Sequence, residues 1–217
     1  MKYIKPLPSF LANRYHGWKA TQFQENKAWI AKLVDDGQHP RTMVIACCDS
    51  RVHVTSVFGA ETGEFFLHRN IANLVPKFLP DGQHHGTSAA IEYAVTALGV
   101  TNILVVGHSH CGGVKGCHDM CSGKAPELEE KSSFVGSWVD ILREGYERVA
   151  ERGGTEDEQV SALEREGILV SLKNLMTFPF VQERVEKGEL SLHGLWMDIR
   201  DGGLENYNPA SDTFEQI

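Results

Sequence analysis

Two short apolar, β-leaning runs in this chain each end in soft ligand residues, and that pairing constrains the fold more than any other feature. Met43, Val44, Ile45 and Ala46 lead into Cys47, Cys48, Asp49, Ser50 and Arg51. Much further along, Asn102 to Gly107 (Asn-Ile-Leu-Val-Val-Gly) lead into His108, Ser109, His110, Cys111, Gly112 and Gly113. Runs of this length and composition read as buried strands. Both ligand groups then sit at the carboxyl ends of strands, where open α/β sheets place their functional sites. His108 and Cys111, separated by a Gly-flanked turn, can reach one ion together with Cys47. Two thiolates and an imidazole suit the borderline-soft Zn²⁺ ion, and three protein ligands leave a fourth tetrahedral position for water or substrate.

The bland reading of a Cys at the end of a buried strand is a small core hydrophobe. For Cys47, His108 and Cys111 taken as a set, the joint pattern outweighs it. Cys48, next in the strand alternation, should face away from Cys47 and reads as a packing residue. Cys117 and Cys121 lie one helical turn apart with His118 between them. They read as packing, with a second metal site or a redox pair as the lesser alternative.

The length of 217 residues suits one domain with a full hydrophobic core. Five cysteines, an odd number in a chain much longer than disulfide-stapled scaffolds, favour reduced thiols and a cytoplasmic location. Arg14, His16 and Lys19 interrupt the amino-terminal apolar residues, and no run approaches the roughly 18 apolar residues of a membrane span. The expectation is a soluble protein without a membrane partner. A net charge of −8 opposes nucleic-acid binding, which needs a basic face.

Ser9 to Val34 carry a helical pattern through Phe10, Leu11, Trp18, Phe23, Trp29, Ile30 and Leu33, preceded by Pro6 and Pro8 and ended by Gly37. So many large apolar groups on an amino-terminal arm require a surface to pack on, either a second subunit or the chain's own core. Glu64 to Arg69 reads as a second strand, Gly86 to Gly99 as a helix closed by glycine, and Leu190 to Ile199 as a late strand before a Gly202-Gly203 turn. Phe134 to Arg152 and Val160 to Met176 read as two further helices, with the acidic, Gly-rich stretch 153–158 as a solvated loop between them. The alternation predicts an α/β fold: a mostly parallel central sheet flanked by helices, with a helical arm over 1–36 and a zinc-binding core over 37–217 in one domain.

Cys-x-Asp-Ser-Arg followed by His-x-x-Cys-Gly-Gly resembles the β-class carbonic anhydrases, with the match running from Gln38 through Gly116 and a weaker echo from His193 to Gly203. That resemblance implies one Zn²⁺ per chain on Cys47, His108 and Cys111, with Asp49 and Arg51 as the catalytic dyad. It implies Gln38 as the pocket glutamine, Phe66, Ile71 and Tyr93 as the apolar lining where carbon dioxide binds, and Gly112 as a backbone donor. It also implies a homodimer or homotetramer in which a partner contributes part of the lining. The activity implied is that of a lyase: reversible hydration of carbon dioxide to bicarbonate and a proton by zinc hydroxide.

Elementary chemistry supports that reading. A carboxylate at Asp49 can accept a hydrogen bond from zinc-bound hydroxide, and Arg51 can keep it ionised and oriented through a paired fork. The same two residues could instead form a simple turn-stabilising ion pair. Gln38 could be a surface amide, and Phe66 and Tyr93 core aromatics. His53, His68, His84, His85 and His110 qualify as proton shuttles only through the ordinary histidine pKa. Alternatives for the whole chain are the same chemistry on carbonyl sulfide or carbon disulfide, or a non-catalytic zinc or thiol redox sensor. One group within the resembled family binds regulatory bicarbonate through a Trp, Arg and Tyr triad. Here Arg69 keeps the Arg position, whereas Val44 and Met197 stand where Trp and Tyr would be and donate no side-chain hydrogen bond. Steep bicarbonate inhibition is therefore not expected.

Overall fold

The computed structural model describes residues 3–81, 85–130 and 132–217, so the shuttle candidate His84 lies outside the described residues. The chain divides into an amino-terminal unit ending at Gln38 and a larger unit from His39 to Ile217.

In the first unit the single helical run expected over Ser9 to Val34 is two helices, α1 (Ser9–Ala20) and α2 (Gln22–Asp36). The break is at Thr21, whose φ of −117° and ψ of −93° leave the helical region while its hydroxyl bonds back to the Gly17 carbonyl. Gly37, at φ 83°, ends α2 in a conformation that glycine adopts without steric penalty. Neither helix buries a residue.

The larger unit is built on a six-stranded sheet. Its strands are β1 (Thr42–Cys47), β2 (Phe65–Asn70), β3 (Asn102–His108), β4 (Ser191–Met197), β5 (Leu204–Asn208) and β6 (Thr213–Gln216), in the order β2-β1-β3-β4-β5-β6. The first four neighbours pair in parallel, and β5 and β6 add antiparallel. Met43, Val44 and Ile45 are fully buried, as the strands of a two-sided parallel sheet require. The side chains of one face, Met43, Ile45, Ile103 and Val105, join one core cluster, and Val44, Ala46 and Val106 join another. The chain leaves β1 toward β2 on one side and returns as β3 on the other. The carboxyl ends of β1 and β3 therefore flank the point where strand order reverses, and Cys47 and His108 are the last residues of those two strands.

The helices of this unit are α3 (Val54–Val57), α4 (His85–Glu92), α5 (Gly112–Cys121), α6 (Phe134–Val139), α7 (Arg143–Glu151), α8 (Glu156–Leu175) and α9 (Pro179–Glu186). α8 crosses the sheet closely: a Cβ on Gly107 or on Gly194 would stand 2.8 Å from Ile168 atoms, so both positions need glycine. Several sequence expectations shift. The Gly86 to Gly99 helix gives way after Glu92 to a π-turn over Tyr93–Ala97, closed by Leu98 N–H on the Tyr93 carbonyl. The Phe134 to Arg152 helix is split by a 3₁₀ turn over Asp140–Leu142. Glu156, Asp157 and Glu158, expected in a solvated loop, form the first turn of α8, where Thr155 and Glu158 complete a capping box. The negative charges suit the positive end of the helix dipole. α9 and the β5–β6 hairpin were not foreseen. No described helix is long and apolar enough to cross a membrane.

Candidate active site

Cys47, His108 and Cys111 converge. Their ligand atoms all lie within 4.8 Å of one another and all three residues are buried. The two sulfurs are 3.9 Å apart. His108 Nδ1 donates to the Ser109 carbonyl at 2.8 Å, which fixes the tautomer and leaves Nε2 as the free donor atom. Among the described residues, His108 Nε2 is the only buried side-chain nitrogen or oxygen without a hydrogen-bond partner. An unpaired buried nitrogen costs free energy unless something fills its lone pair. Beside two thiols at this spacing a zinc ion would fill it, so the donor set fits the metal. Without a metal, the hydrogen bond from Cys111 draws the Cys47 thiol down to about 4 and pushes Cys111 up, so one proton serves two sulfurs. Burial pushes His108 down, but the Cys47 thiolate outweighs it and the net shift is upward.

Asp49 and Arg51 form a closed fork. Arg51 Nε donates to Asp49 Oδ1 at 2.9 Å and Nη2 to Oδ2 at 2.6 Å, while the Arg51 backbone N–H also donates to Oδ1. These Arg51 hydrogen bonds hold the Asp49 carboxyl well below the usual carboxylate range. Arg51 Nη2 also reaches the carbonyl of His110 at 3.1 Å. That carbonyl is aimed by an uncommon backbone: His110 has a φ of +56°. The ligand turn and the dyad are thus one connected structure.

Four features supporting this site were not read as such from the sequence. Arg69 donates to the carbonyls of Cys47, Asp49 and Val52 at 2.9, 2.7 and 2.9 Å, clipping down the segment that carries ligand and dyad. Glu164 of α8, 4% exposed, accepts from the Cys111 N–H and from Trp196 Nε1, both at 3.2 Å. Arg165 stacks 3.6 Å over the Trp196 ring and forks onto Glu205. Ser109 Oγ donates to Asp198 at 2.9 Å, tying the ligand turn to the chain leaving β4. A signal for Glu164 was available, since it stands beside Leu163 on the apolar side of α8 and a carboxylate there needs a buried donor.

The other sequence candidates scatter. Ile71 packs in the same cluster as Cys47 and Cys111, and its carbonyl accepts from Trp138 Nε1 at 2.8 Å. With His68, Asn70, Gly86, Thr87 and Trp138 it lines a depression of about 320 Å³. Phe66 and Tyr93 pack on each other, centroids 5.8 Å apart, and Phe66 leans on the other side of the core. Tyr93 is 48% exposed, which fits an unfilled surface better than core packing. A Cβ on Gly112, the first residue of α5, would meet nothing within 4 Å, so open space lies on the Cβ side of this residue. Gln38 is exposed and closes the amino-terminal unit. Cys48 is a correction: it is exposed rather than packed, because β1 ends at Cys47 and strand alternation ends with it. Of the histidines, His53 bonds Ser56, His68 bonds Thr87, His110 bonds Arg200, and His85 is exposed.

A model of the carbonic anhydrase family matches residues 42–204, three quarters of the chain and both ligand segments. The chain belongs to the β-carbonic anhydrase family. Its enzymes are lyases. Over 190 residues the chain is 36% identical to beta carbonic anhydrase 3 of Arabidopsis thaliana, covering 87% of this chain and 72% of that protein. The solved structure of the β-carbonic anhydrase CcaA superposes with a TM-score of 0.85 at 32% identity, over 96% of this chain and 98% of that one. A structure from work on two tetrameric β-carbonic anhydrases of Sordaria macrospora gives a TM-score of 0.74 at 29% identity, over 91% and 95%. These likenesses bear out the α/β architecture read from the sequence.

Proposed function

We propose that the protein hydrates carbon dioxide reversibly at a zinc ion held by Cys47, His108 and Cys111, with Asp49 and Arg51 as the dyad. The observation that carries this reading is His108 Nε2, buried and unpartnered beside two sulfurs 3.9 Å apart, with a closed Asp49–Arg51 fork on the same ligand turn. When bound, zinc supplies a Lewis acid that brings the ionisation of water toward neutral pH. The rest is done by the chain. The Asp49 carboxylate can only accept, so it would take a hydrogen bond from the attacking oxygen and leave that oxygen's lone pair turned toward the substrate carbon. Arg51 keeps that acceptor ionised and oriented. The Gly112 N–H, at the positive end of α5, faces the charge that develops on the substrate oxygens. Ile71, Phe66 and Tyr93 supply apolar surface suited to an uncharged substrate, and Gln38 remains the candidate side-chain amide donor.

A two-thiolate site works only with reduced sulfur, which supports a reducing, cytoplasmic location. The experiment is stopped-flow carbon dioxide hydration measured with zinc content, alongside carbonyl sulfide and carbon disulfide hydrolysis. Turnover of carbon dioxide with one zinc at this site per chain is expected. Zinc without turnover marks a sensor, and faster turnover of the sulfur compounds marks the alternative substrate class.

A further inference from the structure

α5 carries a second pair of thiols that the reaction does not use. Cys117 is fully buried and Cys121, in the last turn of the helix, is half-buried. Their sulfurs are 4.0 Å apart, against 3.9 Å between Cys47 and Cys111. Two sulfurs at about 2.3 Å from a tetrahedral zinc stand about 3.8 Å apart. Both pairs therefore have the spacing of a zinc-class dithiolate. A disulfide needs sulfurs at about 2.05 Å and Cβ atoms at about 3.8 Å, whereas Cβ atoms one helical turn apart stand about 5–6 Å apart. The intact helix suits chelation and opposes oxidation.

The other metal-like cluster on this helix is already filled. His118, Asp119 and Glu156 place ligand atoms within 4.8 Å of one another. The Lys115 ammonium sits on both carboxylates, at 2.5 and 2.8 Å, and Lys124 reaches Glu156 as well. His118 Nε2 meets Gln159 Oε1 at 3.1 Å. Two ammonium groups supply the positive charge that a cation would bring. Among the described residues no ammonium group bonds the Cys117 or Cys121 sulfur; the Arg143 charge acts on both thiols, but its guanidinium is held by Glu129 and Asp140. Their recorded hydrogen bond is to each other, with the Cys121 thiol drawn down by Cys117 and Cys117 pushed up.

We propose that Cys117 and Cys121 form a second, non-catalytic site for a thiophilic divalent cation of the Zn²⁺ or Cd²⁺ class. Both thiolates bind, and water completes the coordination on the exposed Cys121 side. Binding forms two metal–sulfur bonds and releases to solvent whatever protons the two thiols carry. No oxidant or reductant takes part.

The test uses the zinc-loaded full chain equilibrated with micromolar free Zn²⁺, with metal per chain read by native mass spectrometry. Wild type is expected to hold two zinc ions per chain, and Cys121→Ser and Cys117→Ala one each, with carbon dioxide hydration by Cys121→Ser unchanged. Cd²⁺ added to the zinc enzyme should give new thiolate-to-metal absorption that Cys121→Ser lacks. One zinc in wild type, with the Cys121 thiol still open to alkylation, overturns the site. So does a second zinc retained in Cys121→Ser, which places that ion elsewhere. A mass lower by two hydrogens and restored by reductant overturns it too, because the pair is then a disulfide switch.

Discussion

His108 decides the chemistry at the scale of single residues. Its Nδ1 is used by the Ser109 carbonyl and its Nε2 is left buried and bare, an arrangement a folded chain tolerates when a metal fills it. Cys47→Ser, His108→Ala and Cys111→Ser should each lose most bound zinc and nearly all hydration activity, whereas exposed Cys48→Ser keeps both; zinc content by atomic emission checks this, and full occupancy in Cys111→Ser defeats the ligand set. Asp49 makes the complementary case. Its folded-state pKa is depressed by Arg51, so the pairing is intact above the ordinary carboxylate range and is lost only as pH falls through the depressed value. Protonation of Asp49 should therefore leave no inflection in kcat/KM at ordinary carboxylate pH. Asp49→Asn keeps zinc and should lower kcat/KM by roughly 10²-fold or more, because an amide cannot act as the same anionic acceptor. Near-wild-type turnover in that variant would reduce the pair to a structural ion pair.

At the scale of elements, adjacent glycines at the start of α5 separate structure from chemistry. A Cβ on Gly113 would lie 2.5 Å from Ile71 Cγ2 and 3.1 Å from Ala72 Cβ. Gly113→Ala should cost about 1–3 kcal/mol by overpacking, seen as a lower Tm, and should weaken zinc retention by shifting α5. Gly112→Ala meets only open space, so it should keep Tm and change kinetics alone. Equal Tm losses in the two variants would remove this distinction. A second element-level feature is the clip that Arg69 makes from β2 onto the segment after β1. With Nε and Nη2 bonded to three backbone carbonyls, and with Val44 and Met197 buried in place of hydrogen-bond donors, an anion finds few partners there. A ligand shifts a population only through differential affinity. Hydration rates at fixed pH should therefore fall without cooperativity as bicarbonate is raised, and a steep sigmoidal loss would contradict this. The strands that carry the ligands were legible because both of their faces are buried, which leaves unbroken apolar runs. The ligand set was legible because Cys and His at those spacings have few other uses. The β5–β6 hairpin was not, since none of its β5 residues is fully buried and its pattern is faint. Arg69 and Ser109 were hidden as supports because their roles come from contacts between residues distant in sequence.

At the scale of the whole molecule, the amino-terminal unit poses the remaining question. Its helices bury no residue of their own, yet Tyr3, Ile4, Leu7, Phe10, Tyr15, Trp18 and Trp29 are each at least 45% exposed. Tyr15, Trp18 and Phe23 form a chain of ring contacts with centroids 6.2 and 5.4 Å apart. Leaving that much aromatic surface in water is unfavourable at about 25 cal/mol per Å², and a stable interface covers about 800 Å² on each partner. A second copy of the chain is the partner that the sequence resemblance called for, and the tetrameric Sordaria macrospora enzymes show that the fold supports such assembly. Sedimentation of the intact protein should give a dimer or tetramer. A chain lacking residues 1–34 should lose affinity for itself, and hydration activity should fall with assembly if a partner completes the apolar lining beside Ile71, Phe66 and Tyr93. Activity that follows the assembled fraction as protein is diluted would tie the two together. A fully active monomer at working concentration would show that this surface serves some other purpose and that one chain holds a complete site.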